Sequence, residues 1–430
     1  MGESPTARRW AKSYMAMVLV AWAIRLAVVP FTLPEHLEPA PDHWRFAGET
    51  GRIARSITQG KGFSSPLLAD TGPTVWMTPV YPYILAGVFR LAGVYTRASA
   101  LAILALDCLF SALTCIPIFL MARQSFGERC AVWSGWAWAF FPYAIYFAAD
   151  FIWATTLTTL LLATLFLYAL QLEHSNRLSL WMGFGLGCGF GAMTDPIVLT
   201  VALPVAAWMA LRRSRAGARW FVPGVVAVVG FAVVISPWFV RNYRTFGRVL
   251  PFRDNLGLEL YIGNNGDLSH FTPAGHHPSS ADREWAEFQQ AGEIAYMDHK
   301  KQQALDYIRT HPEWFVWATA KRVVYMWTNY WSFDRAYLEK EPMDPGNVFL
   351  CTVLTALALA GLWRAYRRLG MTAVPWAIAL FCFPLVYYVT HGEDYYRRPI
   401  DPLFVVLAVY AVVGRAEGRG RLSSIGAERD

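Results

Sequence analysis

Residues 220–239 read WFVPGVVAVVGFAVVISPWF, a run of twenty positions without a charge. A helix of about 20 apolar residues crosses a bilayer core about 30 Å thick, so this stretch reads as a transmembrane span. On one side it meets Arg212, Arg213, Arg215 and Arg219. On the other it opens through Arg241-Asn242-Tyr243-Arg244 into a long polar segment. The same reading carried outward gives ten spans, at roughly 14–32, 98–121, 130–148, 151–171, 179–194, 196–211, 220–239, 346–363, 372–390 and 401–414. The chain is therefore expected to be an all-α polytopic membrane protein.

Composition agrees. Of 430 residues 55% are hydrophobic, and the charged share of 16% is well below the roughly 25% usual in soluble domains. The net charge of +7 does not point to nucleic acid, because most of the excess sits in short loops between spans. Cys108, Cys115, Cys130, Cys188, Cys351 and Cys382 all lie in or beside apolar runs, so neither a disulfide framework nor a zinc site is expected. The first apolar run follows Arg8, Arg9 and Lys12 without an early small-residue cleavage site and is read as an anchor.

The loops sort by charge. The N-terminus, 122–129, 172–178, 212–219, 364–370 and the C-terminus are basic, and the positive-inside rule makes them cytoplasmic. The other set comprises 33–97, the tip near Asp150, the turn at Asp195-Pro196, 240–345 and 391–400. It holds nearly all the carboxylates and histidines and is expected to face outward. Pro79–Leu91 and 313–331 are ambiguous apolar segments. Either one spanning alone would break this alternation, so both are assigned to the membrane surface as interfacial helices. The expected organisation is one integrated membrane domain, 1–414, with 33–97 as first outer loop and 240–345 as outer cap, then a cytoplasmic tail, 415–430. Within the cap, 281–309 reads as a charged helix.

The first outer loop carries the densest chemistry. From about Phe46 its pattern fits a helix lying on the membrane, with Glu49, Arg52 and Arg55 three apart on one side. An ordinary solvated ion pair explains that spacing equally well. Next, Gln59-Gly60-Lys61-Gly62-Phe63 is a tight turn presenting a cation and backbone amides, an arrangement suited to phosphate. It lacks the full spacing of a nucleotide-binding loop. Arginines also mark Pro237-Trp238-Phe239-Val240-Arg241 and Tyr396-Arg397-Arg398-Pro399, where they suit either phosphate or interfacial anchoring. Arg25 and Asp107 lie within spans and are default functional candidates, although a structural pairing is favoured for Asp107. His276 and His277 fall in a Pro/Ser-rich loop and read as solvated rather than metal-binding.

Taken in order, Glu49-Thr50-Gly51-Arg52-Ile53-Ala54-Arg55-Ser56-Ile57, Gly60-Lys61-Gly62-Phe63, Pro73-Thr74, Pro79-Val80-Tyr81-Pro82, the Pro-Trp…Arg-Asn-Tyr run at 237–243 and Tyr396-Arg397-x-Pro399-Ile400-x-Pro402 resemble the GT-C class of membrane glycosyltransferases. The likeness is to the bacterial branch related to protein O-mannosyltransferases and the aminoarabinose transferase of lipid A, and it covers about residues 14–414. It implies a GT-C-like helical bundle that moves a sugar from a polyprenyl-phosphate donor to an acceptor hydroxyl on lipid, glycan or protein, with inversion. It further implies a carboxylate base, Glu49 or Asp42, and a second acid in the next outer loop, for which Asp150 is the candidate. Arg52, Lys61, Arg241 and Arg397 are expected at the donor phosphate. Trp76, Tyr81, Tyr83 and Trp238 are expected along the lipid groove, or else in a plain interfacial belt. No cofactor is expected, and no metal ligand set is identified. The implied setting is a bacterial inner membrane with both termini cytoplasmic. A secondary transporter or a non-catalytic envelope-assembly protein is the rival reading.

Overall fold

A 24-residue helix, Tyr14–Leu37, opens the structure by burying Met17, Ala21, Arg25, Val29 and Leu33, every fourth residue. That spacing lines up one face of a helix, and Met15, Leu19 and Phe31 stay exposed as apolar surface suited to lipid. The computed structural model describes residues 13–38, 43–267, 275–332, 335–340 and 344–414. In chain order its helices are α1 (Tyr14–Leu37), α2 (Gly48–Thr58), α3 (Val80–Ala92), α4 (Arg97–Leu113), α5 (Cys115–Phe126), α6 (Glu128–Ala139), α7 (Pro142–Ala149), α8 (Thr155–Leu172), α9 (Leu178–Thr194), α10 (Leu199–Arg215), α11 (Phe221–Phe246), α12 (Leu256–Gly263), α13 (Asp282–Ala291), α14 (Glu293–Thr310), α15 (Pro312–Thr328), α16 (Arg335–Lys340), α17 (Asp344–Leu369), α18 (Val374–Cys382), α19 (Leu385–Val389) and α20 (Asp401–Val413). Among the described residues there is no strand, only an isolated bridge between Ser64 and Pro73.

Among the described residues six stretches are long and apolar enough to cross a membrane: Tyr14–Leu37, Arg97–Phe126, Thr155–Leu172, Pro196–Arg215, Phe221–Phe246 and Pro345–Val389. The region expected as one span at 130–148 is instead two helices, α6 and α7, broken before Pro142. Proline cannot donate to the preceding turn, so the break leaves carbonyls of α6 without helical partners. Arg25 supplies the missing donors. Its Nη1 donates to Ala139 O at 3.1 Å and its Nη2 to Trp138 O at 3.1 Å. Its Nε reaches Ser111 Oγ at 2.8 Å and Ala144 O at 3.2 Å. Asp107 is likewise structural, accepting from Tyr81 Oη at 2.7 Å and Thr156 Oγ1 at 2.9 Å.

Helix α8 runs through the centre, and α20 is buried along nearly its whole length. By contrast α11 is peripheral, burying only Pro223, Gly230, Trp238 and Asn242. It docks on α9 through glycines. A Cβ at Gly185 would fall within the Ala227 carbonyl, and one at Gly189 would meet Val234. Small residues allow this close approach, the usual basis of helix pairing in lipid.

The two loop sets gather at opposite ends. At one end Arg213 donates to Leu172 O, Glu173 O and Arg219 O, and Arg212 pairs with Glu173. At the other, Thr78 reaches Thr194 O, and Asn264 reaches Val389 O. Above that end sits the cap, α12–α15. The expected single helix at 281–309 is broken at Gly292, whose φ of 77° ends α13 and starts α14. The cap core packs Leu258, Phe288, Tyr296 and Met297 against Leu67 and Trp76. Lys300, 1% exposed, ties α14 to Glu284 and Glu287 of α13 at 2.6 and 2.8 Å.

Candidate functional site

The chain turns sharply into α2 through Ala47 and Gly48, at φ 73° and 48°, which places Glu49 in the first helical turn. A carboxylate is favoured there by the helix dipole and the free amides. Helix α2 is expected to lie on the membrane, or else as a solvated amphipathic helix, and the structure instead buries it. Ala54 packs with Tyr81 and Leu85, while Ile53 packs with Phe63, Val75 and Trp238. Covered on both sides, α2 leaves Glu49 only 3% and Arg52 only 1% exposed. Arg52 Nη1 donates to Pro66 O at 3.1 Å.

Over Glu49 sits His277, which sequence reasoning left in solvent. Its side chain is 12% exposed, and its Nε2 lies 3.6 Å from Glu49 Oε1. The ring packs edge-on against Trp76 at 5.5 Å. Ser279 N–H donates to Nδ1 at 3.1 Å, and Ser279 Oγ lies 2.6 Å from the same nitrogen. A nitrogen that accepts from a backbone amide carries no proton, so the network assigns the proton to Nε2. Burial pushes the imidazole down to about 3, helped by the charges of Arg52 and His391. The contact is thus a neutral N–H facing a carboxylate, not an ion pair. His276 is less enclosed and contacts Asp267 at 3.2 Å.

A second wall comes from three further elements. His391 Nδ1 lies 3.2 Å from Glu259 Oε2 on α12, and its Nε2 lies 3.3 Å from Tyr396 Oη. Burial lowers the His391 imidazole against the opposing pull of Glu259. Tyr396 stacks on Tyr387 at 4.6 Å, and Tyr395 is near enough to Glu49 to feel its charge. Arg253 is open to solvent yet ringed by protein. Burial opposes its charge, but Asp195 and Glu259 outweigh that and hold it above the ordinary guanidinium value. Burial in turn raises the Asp195 carboxyl, which Arg253 partly offsets. Beside this wall lies a narrow crevice, with room for about one water molecule, bounded by Arg322, Tyr325, Tyr330, Tyr387, Glu393 and Arg397. Arg397 is held by Asp401 at 3.1 Å and by Trp327 O at 3.0 Å, and its Nη2 has no protein partner among the described residues.

Other expected residues are engaged elsewhere. The Gly60-Lys61-Gly62 turn is a helix cap rather than a phosphate cradle. Gly60 N–H donates to Ile57 O and Lys61 N–H to Ser56 O, the paired bonds of a Schellman motif, with Gly60 at φ 79°. Those amides are satisfied, and a helix C-terminus repels anions. Lys61 Nζ pairs with Asp70 at 2.6 Å, half exposed. Arg241 grips the loop backbone, donating to Thr74 O at 2.7 Å and Phe63 O at 2.9 Å. Trp76, Tyr81 and Trp238 are buried in packing rather than lining an open groove, whereas Tyr83 is exposed. Asp150 lies 3.9 Å from His36 Nε2, while His36 Nδ1 donates to Arg45 O at 2.7 Å. Asp42 lies outside the described residues. Among the described residues no group of three His, Cys, Asp or Glu is placed to hold a metal ion.

Residues 76–240 match the sequence model of the dolichyl-phosphate-mannose-protein mannosyltransferase family. The fold is similar to that of the apo Archaeoglobus fulgidus oligosaccharyltransferase, with a TM-score of 0.53 at 13% identity over 93% of this chain and 50% of that one. The family match covers less than half of the chain, and the structural likeness is one of fold. The structure of ArnT from Cupriavidus metallidurans bound to undecaprenyl phosphate aligns with a TM-score of 0.40 at 15% identity, over 94% of this chain and 77% of that one. No curated protein matches in sequence. The chain spans about half the length of the oligosaccharyltransferase chains it matches. The matched family segment runs from Trp76 through most of α11. It takes in Asp150 and Asp195 but neither Glu49 nor His277.

Proposed function

We propose that the chain transfers a sugar from a polyprenyl-phosphate donor to an acceptor hydroxyl of a lipid, glycan or protein. The transfer inverts the anomeric centre and takes place on the extracytoplasmic face of a bacterial inner membrane. The observation that carries this is Glu49, a buried carboxylate beside Arg52 at a helix start, at the end where the acidic loops gather. The family description, a dolichyl-phosphate-sugar transferase, supports a lipid-linked donor. The basic loops at the opposite end support cytoplasmic termini.

In this mechanism Glu49 accepts the proton of the acceptor hydroxyl as general base. The acceptor oxygen attacks the anomeric carbon, and the bond to phosphate breaks. Polyprenyl phosphate leaves with the electron pair, and fixed cations stabilise its growing charge. Of the four cations nominated from sequence, Arg52, one turn along α2 from Glu49, and Arg397, whose Nη2 has no protein partner among the described residues, take this role, although both also hold other groups. Asp150, against His36, is the second acid of the site.

Radiolabelled transfer by purified protein in nanodiscs tests this reading. Donors would be polyprenyl phosphates carrying mannose, aminoarabinose or galacturonic acid, with an envelope extract as acceptor. Loss of a general base costs about 10²–10⁴-fold, so Glu49→Gln should fall by that factor while Asp42→Asn retains activity. The reverse result would move the base to Asp42. Solute flux in proteoliposomes without transfer from any donor would replace the enzyme by a transporter.

A further inference from the structure

Resting on the reading of Glu49 as base, we propose that His277 is its positioning residue: a neutral imidazole whose Nε2–H is directed at the Glu49 carboxylate, keeps it ionised and sets which oxygen faces the acceptor. Two constraints fix that imidazole. The Ser279 amide, at 3.1 Å from Nδ1, excludes a proton there, and Trp76 holds the ring edge-on. The remaining nitrogen is the one facing Glu49 Oε1, at 3.6 Å. That distance exceeds an ordinary N–H···O bond. Catalytic hydrogen bonds are often long in unliganded sites and tighten with substrate.

The arrangement is chemically specific. An imidazolium would form an ion pair with the carboxylate and weaken it as a base. A neutral N–H donor stabilises the carboxylate without cancelling its charge. The charged and titratable groups facing this pair come from three directions. Arg52 is one turn along α2, and Tyr395 comes from the turn before α20. His391 stands behind His277, and both it and Arg52 oppose protonation of His277. The cap therefore does more than cover the site: its 275–281 turn delivers one donor to the base.

Side-chain geometry provides the test. Glutamine places an N–H₂ where histidine has Nε2, whereas asparagine mimics only Nδ1. Protonation of Glu49 would be followed by infrared difference titration of its carboxyl band, assigned by its absence in Glu49→Gln. A hydrogen bond to a charged group is worth about 1.5 kcal/mol at the weak end, which is about one pH unit. His277→Ala and His277→Asn should therefore raise the midpoint by about one unit, and His277→Gln should restore it. The acid limb of kcat/KM should move in parallel. Folding of each variant would be checked by thermal unfolding. Equal midpoints in all four proteins would overturn the proposal, as would a shift in Gln as large as in Ala. The infrared arm does not depend on turnover. If Glu49→Gln keeps full transfer activity, the reading of Glu49 as base fails separately.

Discussion

Replacing Arg25 by methionine should destabilise the protein without any specific effect on catalysis. An arginine within a membrane span normally suggests a substrate path, but here its donors go to backbone. The carbonyls of Trp138, Ala139 and Ala144, on helices other than its own, all accept from it. Methionine fills similar volume and removes these three bonds in a region that offers no water; Trp138 O keeps the Phe141 N–H and Ala144 O keeps Ser111 Oγ, so Ala139 O is the acceptor that loses its donor. Interhelical bonds measured in membrane proteins average about 0.6 kcal/mol, so three give a floor of about 2 kcal/mol. One buried acceptor left unsatisfied adds about 1–3 kcal/mol, which sets a ceiling of about 5 kcal/mol. Lysine keeps the charge but has a single nitrogen, and should recover only part of the loss. The assay is unfolding in mixed detergent micelles, with denaturant midpoints converted to free energies. A methionine variant within about 1 kcal/mol of wild type would refute the reasoning, and normal stability with lost transfer would return Arg25 to the catalytic site.

Two further outcomes follow from the loop over α2. Glu293 accepts from Thr74 Oγ1 at 2.5 Å and Val75 N–H at 2.7 Å, beside Asp254, whose carboxyl oxygens have no partner among the described residues. Burial pushes both carboxyls up, and Glu293 adds to the shift of Asp254. Raised folded values mean that the native state holds protons the unfolded chain has released. The pair's contribution is therefore intact below about pH 4 and is lost as pH rises through neutrality. Hydrogen exchange at Val75, corrected for its intrinsic rate, should quicken over that range, and Asp254→Asn should flatten the response. Separately, Gly60→Ala forces a left-handed position on an L-residue at about 1–2 kcal/mol. It should lower the unfolding midpoint without changing the KM for donor, whereas a raised KM would restore the phosphate-cradle reading of that turn.

The long helices were legible because apolar runs of this length have few alternatives, and the loop charges already sorted the two ends. What escaped had no local signal. The break between α6 and α7 falls inside Phe140-Phe141-Pro142, where hydropathy is continuous and only the proline marks the stop. Glu49 was visible from its motif, but its contact with His277 joins residues more than half the chain apart. A histidine in a Pro/Ser-rich loop looks solvated until a fold closes over it. The Gly60 turn was misread for a different reason. Glycine after a helix signals a C-cap as readily as an anion site, and only the bonds to Ser56 and Ile57 decide. Tyr81 illustrates the same gap: its ring reads as an interfacial aromatic, yet its hydroxyl is committed to Asp107.

Helix α11 has one face on the glycines of α9 and most of the rest open, while its far end grips the Phe63–Thr74 backbone through Arg241. That makes it a lever with its fulcrum in the membrane and its tip on the loop that roofs α2. Tilting of a span to match hydrocarbon thickness would then become displacement at the tip, passing bilayer thickness on to the loop that covers α2.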